Sequence, residues 1–351
     1  MFPNYCCAKL SDIAGSAQGS DELIGEATDT THSHVEWTRA ADSKELSLLD
    51  RWAQAVGPPV IRKLAIPSPT DAVDQLTFAV WNTNVGSADL AAFLIDLTRG
   101  RLTDGRSVEH FVLLLQEVHR SGPAVPDCPP LSGIGSTRIE SIPRHGWRTG
   151  IDALAENTGL ALYYVPSMRN GSPDTDEWPE DRGNAILSTL PLSRLRAFEL
   201  PFERERRVAV AARVHGNSRY GSRWSLDWVN VHLDPRSMGR RLHRSFGAGR
   251  ARQTEWLLRV LEGEAPTLVG GDFNTWARGA NEPAVSHMRT KFQAPAELLN
   301  GGTLSVSRFL PSFRLDHVFF RLPQGWRSES RILEQTYGSD HQAIIGQISI
   351  E

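Results

Sequence analysis

The chain predicts an α/β fold, a sandwich of mixed β-sheets with helices packed against it, and three observations carry that expectation. Short apolar runs of strand length are spread from about residue 75 to the C-terminus. Helical apolar periodicities recur between them, and those helical insertions separate hairpin-like strand pairs, which argues against a purely parallel sheet. Six of the runs also end in polar clusters. At 351 residues the chain is long enough to bury a large core as one unit.

Residues 1–42 are rich in Ser, Thr, Asp and Gly without periodicity and read as a flexible N-terminal extension. His32 and His34 lie there as an H-x-H pair with no third metal ligand nearby. Residues 43–74 read as a helix and linker docking on the core: Asp42 and Glu45 form a capping box. Leu46, Leu49, Trp52 and Val56 make an apolar stripe, and Gly57-Pro58-Pro59 stops it. The third unit spans residues 75–351. LTFAVWN (76–82) is a strand, followed by a helix capped by Ser87, with Leu90, Phe93, Leu94 and Leu97 on one face. FVLLLQE (111–117) is a buried strand, and residues 152–157 are helical. LALYYV (160–165) and NAILS (184–188) are strands flanking a long loop with Pro166, Pro173 and Pro179. VAVAARV (208–214) and SLDWVNVHL (225–233) read as paired strands, residues 254–261 as a helix, and TLVGGDF, LDHVFFR and AIIGQISI as the closing strands.

Composition narrows the function classes. A net charge of -3 and a pI near 6.4 give no global attraction to nucleic acid or acidic membranes, so any such affinity is local. The three cysteines, Cys6, Cys7 and Cys128, imply no disulfide framework. No apolar run reaches the length of a membrane span and no secretory leader is evident, so a cytoplasmic monomer is expected.

The polar clusters carry the chemistry. GGDFNTW (270–276) follows the apolar run 267–269, and strand alternation sends Asp272 and Asn274 to one side while Phe273 enters the core. Alone, such an Asp-x-Asn is commonly a turn with Asx hydrogen bonds. It is accompanied by VWNTN (80–84), LLLQEV (113–118), VNVHLD (229–234), RLDHVF (314–319) and GSDHQA (338–343). Together they offer carboxylates at Glu117, Asp272, Asp316 and Asp340, amides at Asn82, Asn84 and Asn274, and imidazoles at His232 and His341. Hard oxygens suit Mg²⁺ or Mn²⁺ better than Zn²⁺. A phosphoester hydrolase fits best, with one Asp orienting water and a His–Asp pair handling protons near neutral pH.

In this order, WNTN, LQEV, GNAILS, NVHLD, GDFNT, LDHVF and GSDH resemble the endonuclease/exonuclease/phosphatase superfamily over about residues 75–351. The resemblance implies a DNase-like four-layer sandwich, two packed mixed sheets flanked by helices. It implies Glu117 as principal Mg²⁺ ligand, with Mn²⁺ able to substitute, Asn82 beside it and Asp340 assisting. It makes Asp272 the group that orients or deprotonates water, Asn274 and His232 donors to phosphoryl oxygens, and His341 with Asp316 the acid–base pair. Asn84 stands where many members carry Asp, which implies a weaker metal contact. Arg206 and Arg207 open a strand where relatives often carry a phosphate-binding Arg.

Substrate class is less sharply written. Thr275-Trp276 replaces the Tyr-Arg of inositol 5-phosphatases, and Val118-His119-Arg120 lacks the Lys of abasic-site enzymes. Between His232 and the helix at 254 lie Arg236, Arg240, Arg241, Arg244, Arg250 and Arg252 with no acid after residue 234, a segment suited to a nucleic-acid backbone or to an anionic phospholipid surface. A nuclease acting on DNA or RNA is therefore the first expectation. A lipid or small-molecule phosphoesterase, sphingomyelinase-like or phosphatase, is the alternative, and a non-catalytic binding module the third.

Overall fold

The computed structural model describes residues 34–40, 43–65, 72–126, 148–170, 179–235, 247–276, 281–298, 302–304 and 313–351. The expected sites at His32, Asp42, Cys6, Cys7, Cys128, Arg236, Arg240, Arg241 and Arg244 lie outside the described residues.

Thirteen strands are described: β1 Glu36–Arg39, β2 Val60–Arg62, β3 Gln75–Asn82, β4 Phe111–Ser121, β5 Ala161–Arg169, β6 Glu180–Ser188, β7 Ser193–Glu199, β8 Val208–Asn217, β9 Arg223–His232, β10 Thr267–Asp272, β11 Asp316–Arg321, β12 Arg327–Ile332 and β13 Ile344–Ser349. The helices are α1 Ser43–Ala53, α2 Leu90–Thr98, α3 Ile151–Thr158, α4 Ala248–Val260 and α5 Pro283–Arg289. One sheet runs β1-β7-β8-β9-β10-β11 and the other β12-β13-β3-β4-β6-β5-β2. Both are mixed: β9 and β10 pair parallel in the first, β3 and β4 in the second, among antiparallel neighbours.

Strand alternation sorts the apolar residues into three clusters, which makes four layers. Val80, Leu114, Ile186, Val210, Trp228, Leu268 and Val318 point between the sheets. Their neighbours on the same strands, such as Trp81, Leu113 and Leu187, face outward against Phe93 and Leu97 of α2 and Leu154 of α3. Val229, Val269, Phe273 and Phe319 face the other way, against Leu257 of α4 and Val285 and Met288 of α5. Gly270 lets the sheets close beneath the strand ends, since a Cβ there would stand 2.5 Å from Val80 Cγ2 of the opposite sheet. Gly271 serves its own sheet, where a Cβ would stand 1.8 Å from the carbonyl oxygen of Val231 on the paired strand β9. A polar peg crosses the same interlayer. Gln116 Nε2 donates to Asn230 Oδ1 at 2.6 Å, and Asn230 Nδ2 donates to the carbonyls of Leu115 and Ala185, both at 2.8 Å.

Several local expectations change. Residues 36–39, assigned to the extension, form an edge strand parallel to β7. Asp89 caps α2, its carboxylate accepting from the Ala92 amide, while Ser87 hydroxyl faces carbonyls instead. β5 continues through Pro166 to Arg169 and β6 starts at Glu180, shortening the loop expected between them. α4 starts at Ala248, six residues before the start expected at 254. Among the described residues no helix is long and apolar enough to cross a membrane.

Candidate active site

The interlayer face does not end in apolar residues. Continuing the inward positions by two from Val80 reaches Asn82, from Leu268 through Gly270 reaches Asp272, from Trp228 through Asn230 reaches His232, and from Val318 back reaches Asp316. Asp272 sits opposite His232 on one side and Asp316 on the other. Glu117 has the wrong parity for that face. A bulge between Leu115 and Val118 corrects it: Glu117 takes a left-handed φ of 55°, costly for a non-glycine residue, and its carboxylate reaches the cluster.

The contacts are short and mostly buried. Asn82 Nδ2 donates to Asp272 Oδ2 at 3.0 Å, and the Asn274 amide donates to Asp272 Oδ1 at 2.8 Å. His341 Nδ1 lies 2.8 Å from Asp316 Oδ2, and its Nε2 lies 3.9 Å from Asp272 Oδ2. Glu117, 16 % exposed, accepts from the Val85 amide at 3.2 Å and stands 3.8 Å from His232 Nε2 and 3.9 Å from Arg182 Nη1. Arg207 Nη1 faces the His232 ring at 3.1 and 3.3 Å from its two nitrogens. Asn274 Nδ2 donates to the Leu233 carbonyl at 2.9 Å.

Burial and neighbours spread the proton affinities apart. Burial, reinforced by the Asp316 charge, pushes the Asp272 carboxyl up to about 7, against the pull of His341, the Asn274 amide and Asn82. Burial alone would lower His341, but Asp316, Asp272 and Asp340 override it and raise the imidazole to about 10. Burial, then Arg207, Arg182 and His341, hold His232 well below its ordinary value, so it is neutral. Burial raises Glu117, yet Arg182, Arg207 and His341 outweigh it and keep this carboxyl below the usual range. Asp340 is raised by burial and by Glu117 and Asp316, with His341 opposing.

The donor set fits a hard divalent cation. Carboxylate oxygens dominate it, Asp272 and Asp340 are both destabilised as anions by neighbouring carboxylates, and the buried Asp316 Oδ1 has no partner among the described residues. Asp272, Asp316 and His341 each offer a ligand atom within 4.8 Å of the others. Within that trio, the 2.8 Å contact of His341 with Asp316 is already a hydrogen bond.

Of the residues expected from sequence, Asn82, Glu117, His232, Asp272, Asn274, Asp316, Asp340 and His341 gather at this rim, and Asn84 lies on the turn next to it, its amide donating to Asn82 Oδ1. Arg206 does not join them. Its neighbour Arg207 takes the site-facing side, and Arg206 points the other way to bond Glu199 Oε1 at 2.6 Å and the carbonyls of Pro166 and Ser167. Arg250 and Arg252 of the basic segment are likewise engaged by the protein's own carboxylates, Arg250 by the buried Glu282 and Arg252 at the surface by Glu45 and Glu203. Sequence reasoning missed Arg182, which sits one residue before the GNAILS motif, and the bridging Asn230, which the VNVHLD cluster already contained.

Two sheets that bring opposed carboxylates, a carboxylate-paired imidazole and guanidinium groups to one rim define a metal-dependent phosphoesterase. The chain belongs to the Endonuclease/Exonuclease/phosphatase family, whose sequence model matches residues 79–341. Members are metal-dependent phosphoester hydrolases, and this chain is one. Among solved structures it is similar to an endonuclease/exonuclease/phosphatase of Beutenbergia cavernae, at 17% identity over 79% of this chain and 72% of that one, with a TM-score of 0.51. It is also similar to the human nocturnin catalytic domain with bound sulfate, at 14% identity, 83% and 98% coverage and a TM-score of 0.49. A family protein of Leptotrichia buccalis matches at 15% identity, 79% and 99% coverage and the same TM-score, 0.49. No curated protein matches the chain.

Proposed function

We propose that the chain is a Mg²⁺- or Mn²⁺-dependent phosphodiesterase that hydrolyses nucleic acid. One observation carries the chemistry: Asp272, poised near neutral pH, and His341, held as imidazolium by Asp316, face each other at 3.9 Å. Glu117, with Asn82 and Asp340, would hold the metal, which when bound neutralises phosphoryl charge. Asp272 orients the water and takes its proton as the new P–O bond forms and the bond to the leaving oxygen breaks. The imidazolium of His341 gives its Nε2 proton to the leaving oxygen, and transfer from Asp272 to His341 restores both groups. Neutral His232, Arg207 and the second N–H of Asn274 Nδ2 are placed to donate to the other phosphoryl oxygens.

The nucleic-acid assignment is supported by the guanidinium groups of Arg182 and Arg207 at the rim and by the Arg-rich run that follows the strand carrying His232. Plasmid, single-stranded DNA and RNA incubated with Mg²⁺ or Mn²⁺ should be cleaved, and the Asp272→Ala variant should be inactive. A panel of phosphomonoesters, phosphoinositides and sphingomyelin runs beside it. Hydrolysis confined to that panel would replace nucleic acid as the substrate.

A further inference from the structure

The stretch from Asp272 to Thr275 is buried, and the next side chain is not: Trp276 is 37 % exposed. Its indole N–H donates to Asn274 Oδ1 at 3.2 Å. The other end of that amide donates to the Leu233 carbonyl at 2.9 Å, so the Asn274 side chain is held from both ends, on a residue whose own backbone is left-handed, φ 51°. The Trp276 ring also leans on Phe313, centroids 5.8 Å apart and planes at 55°. Phe313 precedes Asp316 by three residues, so this ring pair joins the strand ends that carry two of the site's carboxylates. Thr275 fastens the two segments together, its hydroxyl bonded to the Arg314 carbonyl and 2.9 Å from His317 Nε2. Arg314 Nε and Nη1 are buried and have no hydrogen-bond partner among the described residues.

Among the described residues the large apolar side chains left exposed are Trp37, Ile95, Tyr220 and Trp276, and Trp276 is the one that hydrogen-bonds a residue of the site. Here it adjoins a phosphoryl-binding amide, and the planar group nearest a scissile phosphate in nucleic acid is a base. We propose that Trp276 is a specificity-determining and positioning residue: a nucleobase flanking the scissile phosphate stacks on its exposed face, while its N–H holds Asn274 in place. Base–aromatic stacking tolerates any base, so the residue selects nucleic acid over other phosphodiesters without selecting sequence. This rests on the phosphodiesterase reading above.

The experiment measures kcat and KM for wild type, Trp276→Ala and Trp276→Phe on two single-stranded oligonucleotides, one with bases throughout and one with tetrahydrofuran abasic residues flanking the cleaved bond. Bis(p-nitrophenyl) phosphate serves as a third substrate, and circular dichroism melts confirm folding. Trp276→Ala should raise KM about tenfold or more on the base-bearing strand and leave KM on the abasic strand near wild type, while kcat falls on all three substrates because the N–H is gone. Trp276→Phe, which keeps a ring and removes the N–H, should keep most of the base preference and lower kcat on all three substrates. An unchanged ratio of the two KM values in Trp276→Ala would overturn the stacking role, and wild-type kcat in Trp276→Phe would overturn the hold on Asn274. If wild type cleaves bis(p-nitrophenyl) phosphate but neither oligonucleotide, the nucleic-acid reading fails together with the stacking role, and the kcat of Trp276→Phe on that ester alone decides the positioning role.

Discussion

Neutralising Asp316 tests the acid–base pair most directly. His341 is raised from 6.5 to about 10 although burial works against it, and Asp316 is the largest favourable cause, through both its charge and its hydrogen bond at 2.8 Å. At about 1.4 kcal/mol per pH unit, the net rise corresponds to roughly 5 kcal/mol of preference for the imidazolium. Asp272 and Asp340 supply the rest, so Asp316→Asn should lower the His341 titration by about two units or more. The assay is an NMR titration of the imidazole in protein stripped of divalent ions, paired with kcat in Mg²⁺, which should fall by about 10²- to 10⁴-fold. Linkage gives an independent sign. A histidine whose folded pKa is raised stabilises the protein fully below its unfolded value of 6.5, and that stabilisation drains away as pH rises through about 10. Wild type should therefore lose about 1.4 kcal/mol per pH unit from this group across that window, and the variant should lose less. A titration midpoint within half a unit of wild type, about 0.7 kcal/mol, would refute the reasoning.

Other expectations follow from single contacts. Glu117→Gln should remove the thermal stabilisation that Mg²⁺ or Mn²⁺ gives wild type, about 2.7 kcal/mol at a hundred times Kd, as read by melting with and without the ion. Gly270→Ala should cost about 1–3 kcal/mol in urea unfolding, because its Cβ would meet Val80 Cγ2 at 2.5 Å and the opposite sheet must shift. Arg206→Ala should lower the urea midpoint by an amount corresponding to about 3 kcal/mol, the buried Glu199 having lost a partner, while kcat/KM changes little. Arg207→Ala should do the reverse; equal effects of the two on kcat/KM would contradict their opposite orientations.

Much of this architecture was legible because apolar periodicity and strand ends coincide. Val80, Leu114 and Leu268 announce their strands, and adding two residues leads to Asn82, Gln116 and Gly270 on the same face. What escaped did so for physical reasons. β12, RSESRI, is a largely exposed edge strand paired on one side, so nothing apolar marks it, and in β7 Arg194 and Arg196 interrupt the run around Leu195 and Ala197. α4 begins among Gly and Arg residues whose role is ion pairing rather than burial of an apolar stripe. In the site, Glu117 was identifiable only through its motif, since a bulge with a left-handed residue leaves no periodic trace. Choosing between Arg206 and Arg207 required the strand's phase, and Arg182 showed no signal until Glu117 was placed near it.

The site's groups are divided between the two sheets. Asn82, Glu117 and Arg182 lie on one, and His341 stands just before β13 of it, whereas His232, Asp272 and Asp316 lie on the other. Neither sheet by itself holds both the water-handling carboxylate and the imidazolium. In a refolding time course, hydrolysis should thus appear after far-ultraviolet dichroism has recovered, at the moment the layers lock around Gln116 and Asn230. The enzyme is silent until its chain is fully assembled, and turnover becomes a clock for the last step of its own folding.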